Sequence, residues 1–251
     1  MKKVLSFVFS LLCMSLIAQN DIIFELVTIT PKDGITEELV SKMKAHNDQF
    51  HSEGAHGARV YSINTGTEAG KLIWAMGPTT WSDIENRPGG GDHDSDWANV
   101  TGLLENEVRV EYFEFEPTLS NFPVDFDVKN LWIRMTDLKP WQGYRYRALL
   151  EKIHKVYVEK FPNQSRGVYF NELGNSRDGR DVMTVQFFDS LSWMDEDRNF
   201  AAKYEEVHGF GTWRTFMSEI EDIVAGSDLL MMSLLPEMGG LSPRVMAAER
   251  Q

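Results

Sequence analysis

Two stretches of this chain read as copies of one another. KAHNDQFHSEGAHGARVYSINTG spans 44–66 and KIHKVYVEKFPNQSRGVYFNELG spans 152–174. Lys44, His46, Val60, Tyr61 and Gly66 recur as Lys152, His154, Val168, Tyr169 and Gly174, at a constant offset of 108 and without a gap. Further on, Trp81 aligns with Trp193, His93 with His208 and Trp97 with Trp213, as the offset widens to 116. Matching residues at matching spacing indicate one folding unit written twice, with longer loops in the second copy.

Each copy carries the same order of elements. IIFELVTIT and NLWIRMTDL are rich in β-branched and large apolar residues, end near Pro31 and Pro140, and read as strands. Ile35, Leu39, Met43, His46 and Phe50 recur at three- and four-residue steps and make one helical face. Tyr146, Leu149, Ile153, Tyr157 and Phe161 do the same in the second copy. ARVYSI with KLIWAM, and RGVYFNEL with DVMTVQFF, are strand pairs joined by glycine-containing turns. Helices follow over WANVTGLLENEV and WRTFMSEIEDIVAG, and VEYFEF and DLLMMSLL close the units. The order is β-α-β-β-α-β, twice, which is the ferredoxin-like unit.

A single such unit leaves one sheet face apolar and bare, and two units cover each other. The expected fold class is therefore α+β: tandem ferredoxin-like repeats over 22–116 and 128–236 that form an intramolecular pseudo-dimer. The Pro-containing stretch 117–127 links them, and 237–251 is a flexible tail. This arrangement resembles the dimeric α/β-barrel superfamily, which includes antibiotic-biosynthesis monooxygenases, haem-degrading monooxygenases and NIPSNAP-like proteins. The resemblance spans roughly residues 22–236 and rests on element order and duplication. It implies a barrel built from the two units and leaves activity open, because this fold hosts many chemistries. The haem-degrading members place an asparagine on the first strand, and neither copy offers a match. No catalytic residue is carried over.

The first residues have a separate logic. MKK precedes the apolar run VLSFVFSLLCMSLIA, and the polar QND follows Ala18. That layout predicts a signal peptide over 1–18 and an exported protein, periplasmic or extracellular, with no membrane contact after cleavage. Cys13 is the only cysteine and lies inside that segment, so disulfides, thiolate nucleophiles and cysteine-ligated zinc are excluded from the mature chain. The formal net charge of −13 argues against a nucleic-acid partner, which needs clustered lysine and arginine. The same negative field favours neutral or cationic ligands over anionic ones.

Candidate site residues come from the repeat. His46 and His154 fall beside the apolar faces of equivalent helices, where a histidine acts as acid, base or ligand, or packs against a backbone carbonyl. His93 with Trp97, and His208 with Trp213, occupy equivalent mouth positions. With Tyr61 and Tyr169 they make candidate aromatic pockets, against the alternative that the tryptophans only anchor helices. His46, His51 and His56 are spaced by five and five, which does not put them on one helical face; they could form a metal cluster only if the turn folds back, and no metal is assigned. No cofactor is assigned either. GGGDHDSDW (89–97) has the D-x-D-x-D spacing of a calcium loop but carries Trp97 and Leu103 where that loop needs glycine and glutamate. Its plain reading is a turn in which Asp94 or Asp96 caps a helix starting near Trp97. No P-loop, nucleophile elbow or zinc-protease helix is present. The function expected is binding of a small apolar or aromatic ligand by a monomeric pseudo-dimer, with a cofactor-independent or haem-using monooxygenase as the alternative.

Overall fold

The computed structural model describes residues 21–87, 89–174 and 179–247. The expected signal peptide lies outside them. The first repeat supplies β1 (Ile23–Ile29), α1 (Thr36–Phe50), β2 (Ala58–Ile63), β3 (Leu72–Thr79), a one-turn α2 (Trp81–Glu85), α3 (Gly91–Thr101) and β4 (Arg109–Phe115). A short β5 (Phe126–Asp127) lies in the connection. The second repeat supplies β6 (Asn130–Leu138), α4 (Gly143–Lys160), β7 (Arg166–Asn171), β8 (Val182–Phe188), α5 (Phe200–His208), α6 (Thr212–Ile223) and β9 (Val224–Leu234), and β10 (Arg244–Val245) follows.

The eight long strands close into one antiparallel barrel in the order β1-β3-β2-β9-β6-β8-β7-β4. Within each half the order is that of a ferredoxin-like sheet. The halves join at two seams, where Tyr61 of β2 pairs with Leu234 of β9 and Phe115 of β4 pairs with Tyr169 of β7. Closure leaves the main sheet no open edge.

Most of the long strands bury residues on both faces. Leu26, Ile63, Phe113, Ile133, Met183 and Met232 point into the barrel. The alternate residues point outward under the helices. Ile29, Val60, Trp74 and Met76 pack against Leu39 and Met43 of α1 in the first half. Val168 and Val182 pack against Leu149, Tyr204 and Phe216 in the second. Burial on both faces explains why the strands read as apolar runs rather than as strict alternation. Truncating a fully buried anchor such as Met43 or Phe113 to alanine costs about 2–5 kcal/mol.

Three segments differ from expectation. The helix expected near Trp97 begins at Gly91, so the Gly-Asp stretch is itself helical. Asp94 Oδ2 accepts the Gly90 N–H at 2.7 Å, and Asp92 and Asp94 sit favourably in the first turn, at the positive end of the helix dipole. On a helix Asp94 is turned away from Asp92 and Asp96, so the three do not form a calcium loop. In the second half an additional helix, α5, occupies AAKYEEVH, anchored by the buried Tyr204. The tail expected to be loose is tied down as far as residue 247. Asn47 Nδ2 donates to the Met238 carbonyl at 2.9 Å, Leu241 N–H to Ala58 at 2.8 Å, and β10 pairs with β5. A side chain at Gly240 would collide with the Ala58 carbonyl, so glycine permits this docking.

Candidate functional site

Six of the eight expected site residues fall into three places, and His154 and His208 pack apart from them. The first is a histidine cluster between α1 and α3. α1 presents His46 and Phe50, and His51 follows at its C-cap. α3 presents His93, Asp96 and Trp97 at i, i+3 and i+4, so all three share the face toward α1. The rings of His46 and His51 lie 5.0 Å apart, those of His46 and His93 5.1 Å apart, and Trp97 lies 4.9 Å from His46. Trp74 of β3 forms the floor, 5.0 Å from His51. Its indole N–H donates to the buried Asn47 Oδ1 at 3.0 Å.

Each imidazole in this cluster has its Nδ1 engaged. His46 Nδ1 lies 2.8 Å from Asp96 Oδ2, His51 Nδ1 2.6 Å from the His56 carbonyl, and His93 Nδ1 3.0 Å from Asp94 Oδ1. All three partners are acceptors, so Nδ1 carries the proton and Nε2 of a neutral ring offers a lone pair. The three ligand atoms lie within 4.8 Å of one another. His51 Nε2 and His93 Nε2 face each other at 3.4 Å. His46 is fully buried, and its Nε2 has no hydrogen-bond partner. Desolvation holds His46 below the usual histidine value and pushes His51 down to about 4. His56 stays outside the group, with its Nε2 3.0 Å from the Asp83 carbonyl.

The second half does not repeat this cluster. His154 is desolvated, which lowers its pKa, and its Nδ1 is buried without a partner. His208 donates from Nε2 to the Lys152 carbonyl at 3.0 Å and packs 4.4 Å from the Tyr204 ring. At the repeat offset, Glu159 replaces His51. The space between sheet and helices is instead a cavity of about 570 Å³. Its walls include Trp193, Trp213 and Tyr157, with Arg134, Arg166 and Arg198 among them. Arg166 is 3% exposed. It donates to the Leu119 carbonyl at 2.9 Å, sits 5.0 Å from the Tyr157 ring, and has no carboxylate partner among the described residues. Arg198 lies 3.9 Å over Trp193, donates to Gln186 and Gln164, and leaves Nε buried and unpartnered.

The third place is the barrel interior, a cavity of about 420 Å³. Tyr61 and Tyr169 enter it from equivalent strands of the two halves, among Phe24, Phe115, Met183 and Met232. Burial raises both phenol pKa values.

The eight expected residues thus divide into His46, His93 and Trp97 in the first-half cluster, Trp213 at the second-half cavity, Tyr61 and Tyr169 in the barrel, and His154 and His208 packed separately. Spacing assigned no metal ligands, yet the fold brings three imidazoles together: the turn after α1 returns His51 to the helix, and α3 supplies His93 in place of His56. Arg166, Arg198 and Asn47 were not expected. Arg166 occupies the repeat position of Ala58, and a charge in place of a small core residue was the available signal.

Neither a protein-family model nor a curated protein sequence matches the chain. Solved structures do. An inferred monooxygenase from Lactobacillus acidophilus NCFM superposes with a TM-score of 0.54 at 10% identity, covering 92% of this chain and 100% of that one. An anthrone oxidase-like protein superposes with a TM-score of 0.53 at 14% identity, covering 87% and 92%. Chlorite dismutase from Candidatus Nitrospira defluvii, in complex with imidazole, gives 0.52 at 11% identity, covering 87% and 93%. The chain has the dimeric α/β-barrel fold, with both ferredoxin-like units supplied by one polypeptide.

Proposed function

We propose that this protein binds a small aromatic molecule bearing an anionic group, such as a carboxylate, in the second-half cavity. The observation that carries this reading is Arg166, a buried guanidinium at the wall of an aromatic cavity that makes no ion pair among the described residues; the one lining carboxylate, Glu196, lies toward Arg198. A buried charge without a counter-ion costs several kcal/mol, and a ligand anion supplies the missing partner. Guanidinium groups suit this role because they meet a carboxylate through two parallel N–H bonds. Trp193, Trp213 and Tyr157 supply flat apolar surface for the rest of the ligand. The net charge of −13 argued for neutral or cationic ligands, but charges beyond about 10 Å are screened at ordinary salt, so the nearby arginines set the local preference.

An oxygenase reading rests on fold likeness alone, and fold does not fix chemistry. For its haem-using form, neither cavity has a histidine or cysteine among its lining residues to ligate the iron. The amino-terminal pattern of basic, apolar and polar segments supports export of the mature chain, and mass spectrometry of secreted material tests it. An intact Met1 overturns that part.

The binding test is a titration with 1-naphthoate and its neutral amide, read by tryptophan fluorescence. Naphthoate should bind with at least about tenfold preference, the equivalent of one charge-assisted hydrogen bond. Arg166→Met should remove that preference. Equal binding of acid and amide, or no response to either, overturns the proposal.

A further inference from the structure

We propose that the first half holds a divalent first-row transition metal ion on Nε2 of His46, His51 and His93. This inference concerns the opposite half and stands independently of the anion-binding reading. Three features carry it. One ring nitrogen from each histidine lies within 4.8 Å of the others, and the His51 Nε2–His93 Nε2 separation of 3.4 Å equals the edge of a tetrahedron with metal–nitrogen bonds of about 2.1 Å. Each Nδ1 is engaged by an acceptor, so all three rings are fixed in the tautomer that leaves Nε2 free. His46 Nε2 is buried and unpartnered, an atom that needs a ligand.

Without a cation the arrangement is costly. Two lone pairs oppose each other across 3.4 Å, and a third acceptor is desolvated beside them. A metal ion converts all three from unsatisfied acceptors into ligands. Asp96, Asp94 and the His56 carbonyl then act as the outer shell, holding ring orientation and raising the basicity of each imidazole. Imidazole donors select zinc, cobalt, nickel and copper over magnesium and calcium. Three protein nitrogens leave one position for water or a small ligand. His93, the most exposed of the three with 19% side-chain exposure, gives the route to solvent.

The halves diverge at the same layer. Where the second half keeps an open arginine-lined cavity, the first fills the space with histidine, tryptophan and carboxylate. Of the three histidines, His46 and His93 have repeat counterparts in His154 and His208, whereas Glu159 stands where His51 would recur, so the second half provides an internal control.

The test is a Co²⁺ titration of tag-free, chelator-treated full chain, followed by visible absorption, then displacement by Zn²⁺. The expected result is one equivalent bound with the intense absorption of a tetrahedral nitrogen site. His93→Ala should abolish the band. Asp96→Asn, which keeps all three ligands, should weaken affinity by about 10- to 100-fold. His208→Ala should leave binding unchanged. Circular dichroism confirms that each variant is folded. An absence of stoichiometric binding to the unmodified chain overturns the proposal, as does unaltered binding by folded His93→Ala. If His93→Ala does not fold, the Asp96→Asn shift decides, and an unchanged affinity there counts against the site.

Discussion

His51 Nε2 stands 3.4 Å from His93 Nε2, although 42 positions separate them in the chain. The contact exists because the residue that ends α1 and a residue in the first turn of α3 meet above Trp74. A bound ion at this junction would tie the two helices together. Zn²⁺ at a hundredfold excess over its dissociation constant should therefore stabilise the fold by about 2.7 kcal/mol, and a chelator should reverse the gain. Thermal melts with and without chelator check this; an unchanged midpoint at saturating zinc contradicts it.

Asn47 holds the layer beneath the histidines. Its side chain accepts from Trp74 and donates to Met238, joining α1, β3 and the docked tail. Asn47→Ala strands a buried indole N–H and a carbonyl, and should cost about 2–4 kcal/mol in chemical denaturation. Limited proteolysis should show the tail released in the same variant.

The Glu111–Arg180 pair links the halves. Glu111 lies on β4, and both side chains are almost fully buried. Arg180 also donates through a second nitrogen to Glu111 Oε2 at 3.0 Å. Glu111→Gln leaves a buried guanidinium without its counter-charge, and should lower unfolding free energy by about 3–5 kcal/mol. A change below 1 kcal/mol would show that solvent already neutralises the arginine.

Arg166 should behave in the opposite way. Arg166→Met removes a buried cation that has no counter-charge among the described residues, so the melting temperature should hold or rise while preference for the anionic probe disappears. A large fall in melting temperature would instead mark Arg166 as a structural brace between β7 and the Leu119 carbonyl.

Glu114 sets a pH dependence. Burial first, then a hydrogen bond and repulsion from Glu172, raise its carboxyl from the usual 4.5 to about 7. The folded chain therefore keeps a proton that the unfolded chain releases. This contribution is fully present below pH 4.5 and fades as pH rises through 7. The melting temperature of the unmodified chain should exceed that of Glu172→Gln by less, or fall below it by more, at pH 8 than at pH 5. A constant difference between the two proteins across that range removes the Glu114–Glu172 pair as its source.

The sequence by itself determined the architecture. Hydrophobic spacing is a local property, and a repeated register of 108 residues allowed β2 to be matched with β7 and α1 with α4 before any contact was known. It also placed Tyr61 and Tyr169 as equivalents, and both enter the barrel. Tertiary structure alone decided which polar groups converge. Composition made GGGDHDSDW look like a turn, and only docking against α1 shows it as the helix that delivers His93 and Asp96. His51 read as a turn residue, because nothing in its neighbours reveals that the chain curls back onto Trp74. Arg166 stands at the repeat position of Ala58, but only the packing of the second half shows that its charge is enclosed. Backbone periodicity follows from side chains a few positions apart, whereas a site is made by side chains from distant elements. Its geometry is fixed only when the helices settle on the barrel.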